Sequence, residues 1–163
     1  MPRSPSRHRE NRIMSTLKIT YVIHVAATLE RLWEALTSRQ ALERNWGRIQ
    51  SAWSEGSPVQ EISRTGKVLW QGEVLRNDPP RLLSFTFGVS GVEEPPTEVT
   101  FELCPPVSGL VPGAKVVRLA VTQVGFIEGS KLSAECARAW SEILSSFKSD
   151  VETGNPLPFA WER

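Results

Sequence analysis

Between Ser130 and Thr153, the apolar residues Leu132, Cys136, Trp140, Ile143, Phe147 and Val151 recur at every third or fourth position. That spacing lays one apolar stripe along a helix of about six turns. Gly154 is its stop. The chain ahead of it, from Gly47 to about Gln123, reads as short strands punctuated by turns. A sheet with one apolar face has to cover that face. The last helix is the one element long enough to cross it. The sequence is therefore held to an α+β class: a strongly curved antiparallel sheet of about six or seven strands, wrapped around a long C-terminal helix.

The individual elements follow from period and punctuation. "LKITYVIHV" (17–25) alternates, with Leu17, Ile19, Tyr21, Ile23 and Val25 on one face, the signature of a strand. "ATLERLWEALTS" places Leu29, Leu32, Trp33 and Leu36 on a helical stripe, with Thr28 as N-cap. A second short helix spans "SRQALERNW", capped by Ser38 and ended by Gly47. "IQSAWS" and "PVQEIS" read as short strands around "EGSP", which puts Trp53 inside a strand. "KVLWQGEVLRN" is the longest strand. Asp78 precedes a proline and is held extended, and Pro79-Pro80 turns the chain into "RLLSFTF". "TEVTFEL" and "AKVVRLAVTQV" complete an antiparallel meander.

At 163 residues this is one domain, large enough to bury roughly 70% of its unfolded surface. Residues 1–15 form a basic arm with no apolar segment, read as disordered rather than as a signal, with Met1 and Met14 both candidate starts. Residues 16–154 are the body, and 155–163 a tail carrying Leu157, Phe159 and Trp161. The net charge of +1 gives no global pull toward nucleic acid or an anionic surface. No apolar run approaches the roughly 20 residues of a membrane span. Cys104 and Cys136 read as free thiols of a reducing, cytoplasmic setting. His8 and His24 are the two histidines, and no ligand cluster or glycine-rich phosphate loop accompanies them. No metal and no cofactor are expected.

Several of these segments resemble a known family. "YVIHVAATLERLWEALTSRQALERNWG" is similar to the first strand and paired helices of the bacterial homologues of the heat-shock-protein-90 ATPase activator. "GEVLRNDPPRLLSFTF" resembles their central hairpin, and "TEVTFEL" with "AWSEILSSFKSDVETG" their later strand and closing helix. The resemblance runs from about Leu17 to Gly154 and implies the helix-grip fold of the START or SRPBCC superfamily. It also implies a hollow between sheet and helix that takes hydrophobic ligands. Two departures stand out. Small bacterial relatives often carry a histidine near the end of the last strand, where this chain has Gln123. The eukaryotic co-chaperone has an additional N-terminal chaperone-binding domain, and the resemblance covers only its C-terminal half.

Six of the thirteen aromatic residues are tryptophans. Inward-facing rings either fill a core or line a hollow, and pattern alone does not separate the two. Empty apolar volume costs on the order of 24 cal/mol per Å³. A dry hollow of about 400 Å³ would then cost roughly 10 kcal/mol, comparable to a domain's net stability of about 5–15 kcal/mol. The candidate ligand-binding residues are Trp46, Trp53, Trp70, Phe85, Phe87, Phe101, Trp140 and Phe147, with Trp46 and Trp53 at the pocket mouth. Gly72 marks either a bend in the sheet or room beside Trp70. Glu73, Glu128 and Arg118 are candidate rim groups, and Glu93-Glu94 a loop pair without a catalytic assignment. The leading expectation is a module binding a small hydrophobic molecule of the lipid, polyketide or flavonoid class. The alternatives are an enzyme of the cyclase or aromatase type, or a chaperone-associated interaction module. In the last case the tail would be a docking patch or homodimer contact.

Overall fold

The computed structural model describes residues 17–161; the basic arm lies outside the described residues. The element order is β1 (Leu17–Val25), α1 (Leu29–Thr37), α2 (Arg39–Asn45), β2 (Ile49–Ser51), β3 (Pro58–Ile62), β4 (Val68–Asp78), β5 (Leu82–Val89), β6 (Thr97–Cys104), β7 (Val117–Phe126) and α3 (Ser133–Thr153). The seven strands form one antiparallel sheet in the order β1-β7-β6-β5-β4-β3-β2. The expected meander is present, with β1 returning to pair at the far side of β7.

Side-chain alternation turns that register into a core. One row runs Val74, Phe85, Val99, Gln123 and Ile19 across five strands, and all five are buried. From the other side α3 contributes Trp140, Ile143, Leu144 and Phe147. The helix lies in the grip of the sheet, as its stripe required.

Three local features differ from the sequence reading. Gly47 is not a left-handed stop for α2. A Cβ there would meet the Glu61 carboxylate, which Trp70 Nε1 holds by a hydrogen bond. Gly72 makes no room for a guest beside Trp70. The space a side chain would need is taken by the backbone carbonyl of Thr86 on β5, and the bulge that bends β4 falls later, between Val74 and Arg76. The last helix starts at Ser133 rather than Ser130. Glu94 accepts hydrogen bonds from Ser130 Oγ (2.7 Å) and Lys131 N (2.8 Å), so those residues form a turn ahead of the helix. Glu94 is thus structural. Gly154 does end α3 in the left-handed region, at φ 81°.

The two short helices share one residue. The Ser38 amide closes α1 on the Glu34 carbonyl, and its Oγ caps α2 at Ala41 N. The joint fixes their mutual angle without a loop. Behind α2, Asn45 Nδ2 donates to Asp150 Oδ2 (2.8 Å), Arg44 reaches the same oxygen (2.9 Å), and Ser146 Oγ donates to Asn45 Oδ1 (2.8 Å). This set, buried at Asn45, Ser146 and Asp150 and covered by the exposed Arg44, registers α2 against α3. The C-terminal tail closes over it: Leu157 N donates to Ser146 Oγ (3.1 Å) and Trp161 Nε1 to the Arg44 carbonyl (3.2 Å). Leu157 and Trp161 are half-buried on their own domain, and Phe159 stays exposed. Removing residues 155–163 is expected to lower the urea midpoint while leaving the mass in solution unchanged. Sedimentation showing a halved mass with an unchanged midpoint would assign the tail to contacts between copies instead.

The end of α3 clamps β1. Lys148 Nζ donates to the His24 carbonyl (2.6 Å), and Glu152 Oε1 accepts from Ala26 N (2.8 Å) and Lys148 Nζ (2.6 Å). The Ala26 amide first, then the Lys148 ammonium, hold the Glu152 carboxyl below its ordinary value of 4.5. A group with a depressed folded pKa stabilises the fold above its unfolded pKa. That contribution is lost as acid protonates the folded form. Glu152→Gln is therefore expected to weaken the fold near pH 7 and to flatten its acid dependence below about pH 4.5. Urea titrations stepped from about pH 6 to 3 read both effects.

Candidate functional site

The space between sheet and helix is occupied by rings. Trp46, at the end of α2, stacks on Trp70 of β4 at 5.5 Å and meets Trp140 of α3 edge-on at 5.1 Å. Trp70 stacks on Phe85 at 5.8 Å and touches Phe87 at 4.6 Å. Phe101 joins Phe85 at 5.9 Å and Trp140 at 5.7 Å. Each such pair contributes about 0.5–1.5 kcal/mol beyond its buried area. Neighbouring rings at these separations are in contact, with no guest between them.

The indole N–H groups find partners inside. Trp140 Nε1 donates to Gln123 Oε1 (2.8 Å), while Gln123 Nε2 donates to Thr97 Oγ1 (2.9 Å) and to Cys136 Sγ (3.7 Å). Gln123 is fully used as an internal tie. Burial pushes the Cys136 thiol up, the Gln123 hydrogen bond opposing, and the Glu135 and Glu94 charges add to the rise. A thiol so placed is a poor nucleophile. Trp70 Nε1 donates to Glu61 Oε2 (2.6 Å), its cross-strand neighbour. Both cysteines are free.

Trp53 stands apart. It follows β2 instead of lying in a strand, and its φ of 57° puts a bulky residue in the left-handed region. That conformation costs about 1–3 kcal/mol and persists only where the surroundings enforce it. All three of its polar groups are tied. Its backbone N–H donates to Ser51 Oγ (3.0 Å), its Nε1 donates to the Thr37 carbonyl (3.1 Å), and its carbonyl accepts from Asn77 Nδ2. Its ring leans on Phe85 at 6.0 Å.

Trp53 borders a half-open groove of about 490 Å³ at the end of the sheet. One wall is Ile49–Trp53 with Pro58 and Gln60; the other is Thr37 and Arg39 at the α1–α2 joint. β2 is an edge strand, so no further strand covers that side. Gln50 and Gln60 sit directly opposite each other in the β2–β3 register.

Of the eight candidate residues, the structure brings seven rings together in one cluster, Phe147 being buried under α3 without a ring neighbour among those contacts. Trp53 is the member of the set that lines the groove. Trp46, expected at a mouth, is interior because α2 ends over β4. Glu73 and Glu128 are exposed and do not line this groove. Sequence reasoning missed Arg39, Gln50 and Gln60. Their signal is weak, since polar residues at a helix start or on an edge strand are ordinary. Among the described residues there is no group of three side chains fit to hold a metal ion. No helix among them is long and apolar enough to cross a membrane.

A curved antiparallel sheet gripping a C-terminal helix, with two short helices after the first strand, defines a helix-grip protein. The chain belongs to the family described as Activator of Hsp90 ATPase homolog 1-like protein, whose sequence model matches residues 26–152. Solved structures share the fold. The Aha1 dimer from Colwellia psychrerythraea is 23% identical at a TM-score of 0.67, covering 85% of this chain and 98% of that one. CalU16 from Micromonospora echinospora is 20% identical at 0.69, covering 88% and 78%. DynU16, from the dynemicin biosynthetic locus, is 20% identical at 0.71, covering 88% of this chain and 50% of that one. No curated protein sequence matches the chain. The fold family includes ligand-binding and polyketide-cyclase-like proteins.

Trp140 ties α2, the sheet and α3 together, so its N–H is testable. Trp140→Phe keeps most of the ring but leaves buried Gln123 Oε1 without its donor. The expected cost is about 2–4 kcal/mol in chemical denaturation, from lost volume and one orphaned acceptor. A cost under about 0.5 kcal/mol would mean that this hydrogen bond contributes nothing net.

Proposed function

We propose that the protein is a binding module whose ligand is a small, planar, hydrophobic molecule held in the groove between β2 and the α1–α2 joint. One observation carries this reading: Trp53, largely buried and kept in a strained backbone conformation by three hydrogen bonds, is one of the residues that line the groove. Backbone strain concentrates where a side chain must be presented in a set place. The volume of about 490 Å³ falls in the range of small-molecule sites. The cluster of Trp46, Trp70, Phe85, Phe87, Phe101 and Trp140 acts as a rigid backing, coupled to the groove through the Trp53–Phe85 contact. A ring system suits this short, half-open site better than an extended lipid chain, so the polyketide or flavonoid class fits before the lipid class.

Binding is favoured over catalysis by the lining. The groove holds Thr37, Arg39, Ile49, Gln50, Ser51, Ala52, Trp53, Pro58 and Gln60. None is a carboxylate, histidine, cysteine or lysine, and a guanidinium offers donors and no acceptor, so no general base faces the groove among the described residues.

The test uses 2-naphthol, a neutral ring of suitable size, followed by amide and indole shifts in a ¹⁵N-labelled chain. Shifts are expected at residues 49–53 and 58–60 and at the Trp53 indole N–H. Trp53→Ala should abolish them, and Trp53→Phe should keep part of the response. Silence of these residues at about millimolar probe, or shifts that persist in Trp53→Ala, would refute the groove as the site.

A further inference from the structure

We propose that the ligand of this groove is a planar aromatic carboxylate, its acid group held by the Arg39 guanidinium and its ring lying against Trp53 and Pro58. This rests on the groove being the binding site. The added observation is an uncompensated positive charge at the rim. Arg39 is exposed and, among the described residues, its side chain makes no ion pair or hydrogen bond. The next two arginines along the chain are paired: Arg44 with Asp150 at 2.9 Å and Arg48 with Glu43 at 3.2 Å. Glu43 lies one turn beyond Arg39, where it could have formed an i,i+4 pair, but it is committed to Arg48.

No acidic side chain lines the groove to offset that charge. A guanidinium presents a planar fork of donors that matches the two oxygens of a carboxylate. Beside it the wall is apolar at Trp53 and Pro58, which suits the body of an aromatic acid. The side-chain amides of Gln50 and Gln60 make no hydrogen bond among the described residues and face each other across β2–β3. They supply donors and acceptors for hydroxyl substituents on the ring. A neutral hydrocarbon would leave both amides and the arginine without a role.

The chemistry predicts a charge-dependent preference of modest size. An exposed arginine–carboxylate pair is worth up to about 1 kcal/mol, which is about fivefold in affinity. The experiment titrates the full chain calorimetrically with 2-naphthoate and with 2-naphthamide, which has the same ring and no charge. It is run at about 50 mM and about 500 mM salt, and repeated on Arg39→Gln. Amide spectra locate the ligand and confirm that the variant stays folded, as expected for an exposed side chain. The acid should bind about fivefold more tightly than the amide at low salt. The gap should narrow at high salt and vanish in Arg39→Gln, the acid losing more affinity than the amide. Equal affinity of acid and amide, with both shifting groove residues, would overturn the carboxylate assignment and leave the groove standing. A preference that survives Arg39→Gln would overturn the role given to Arg39. If neither compound perturbs groove residues, the inference and the binding site fail together.

Discussion

Trp140 is the point on which the rest of this structure depends. Its ring meets Trp46 at the end of α2 and Phe101 on β6, and its N–H reaches Gln123 on β7. One side chain thus fixes the distance between helix and sheet, the landing point of α2, and the depth of α3 in the grip. A ring that large is fully buried only if its N–H is paired. Gln123, in turn, can be buried only because Trp140, Thr97 and Cys136 take up its amide. The apolar and polar parts of the interior are mutually conditional.

The overall architecture was legible because it rests on periods. Alternation in residues 19–25 and 97–103, and the three-to-four spacing from Cys136 to Val151, reappear as the inward faces of β1, β6 and α3, and the need to cover one apolar face fixes how they assemble. Thr28 and Ser38 were readable as caps for the same local reason. What pattern does not encode is volume. Rings at positions 46, 70, 85, 101 and 140 face inward whether they meet or leave a gap. The outcome depends on how far α2 carries Trp46 over β4, which is a sum over several elements. Trp53 illustrates the other limit. Its left-handed backbone is imposed by Thr37, Ser51 and Asn77, partners as many as 24 residues away, and no local propensity announces it.

Rings packed against one another within the grip leave concave surface elsewhere. The cost of a dry hollow, roughly 10 kcal/mol at ligand size, is avoided by packing the interior, and concave surface remains where the sheet ends. β2 is three residues long, too short to be prolonged into a wall, and the α1–α2 joint leans over its open side. Members of one fold can in this way differ in where they offer a site. Likeness of fold at about 20% identity does not carry the site with it.

The sheet is completed by its first and last strands: Leu17 pairs with Phe126, and Val25 with Val117. During synthesis β1 is made well before β7, the strand it pairs with among the described residues. Its buried residues Ile19 and Val25 must wait for the intervening strands to be made. The closing helix that locks it is made later still, so β1 stays an unpaired edge until β7 and α3 have followed, and fast closure protects it.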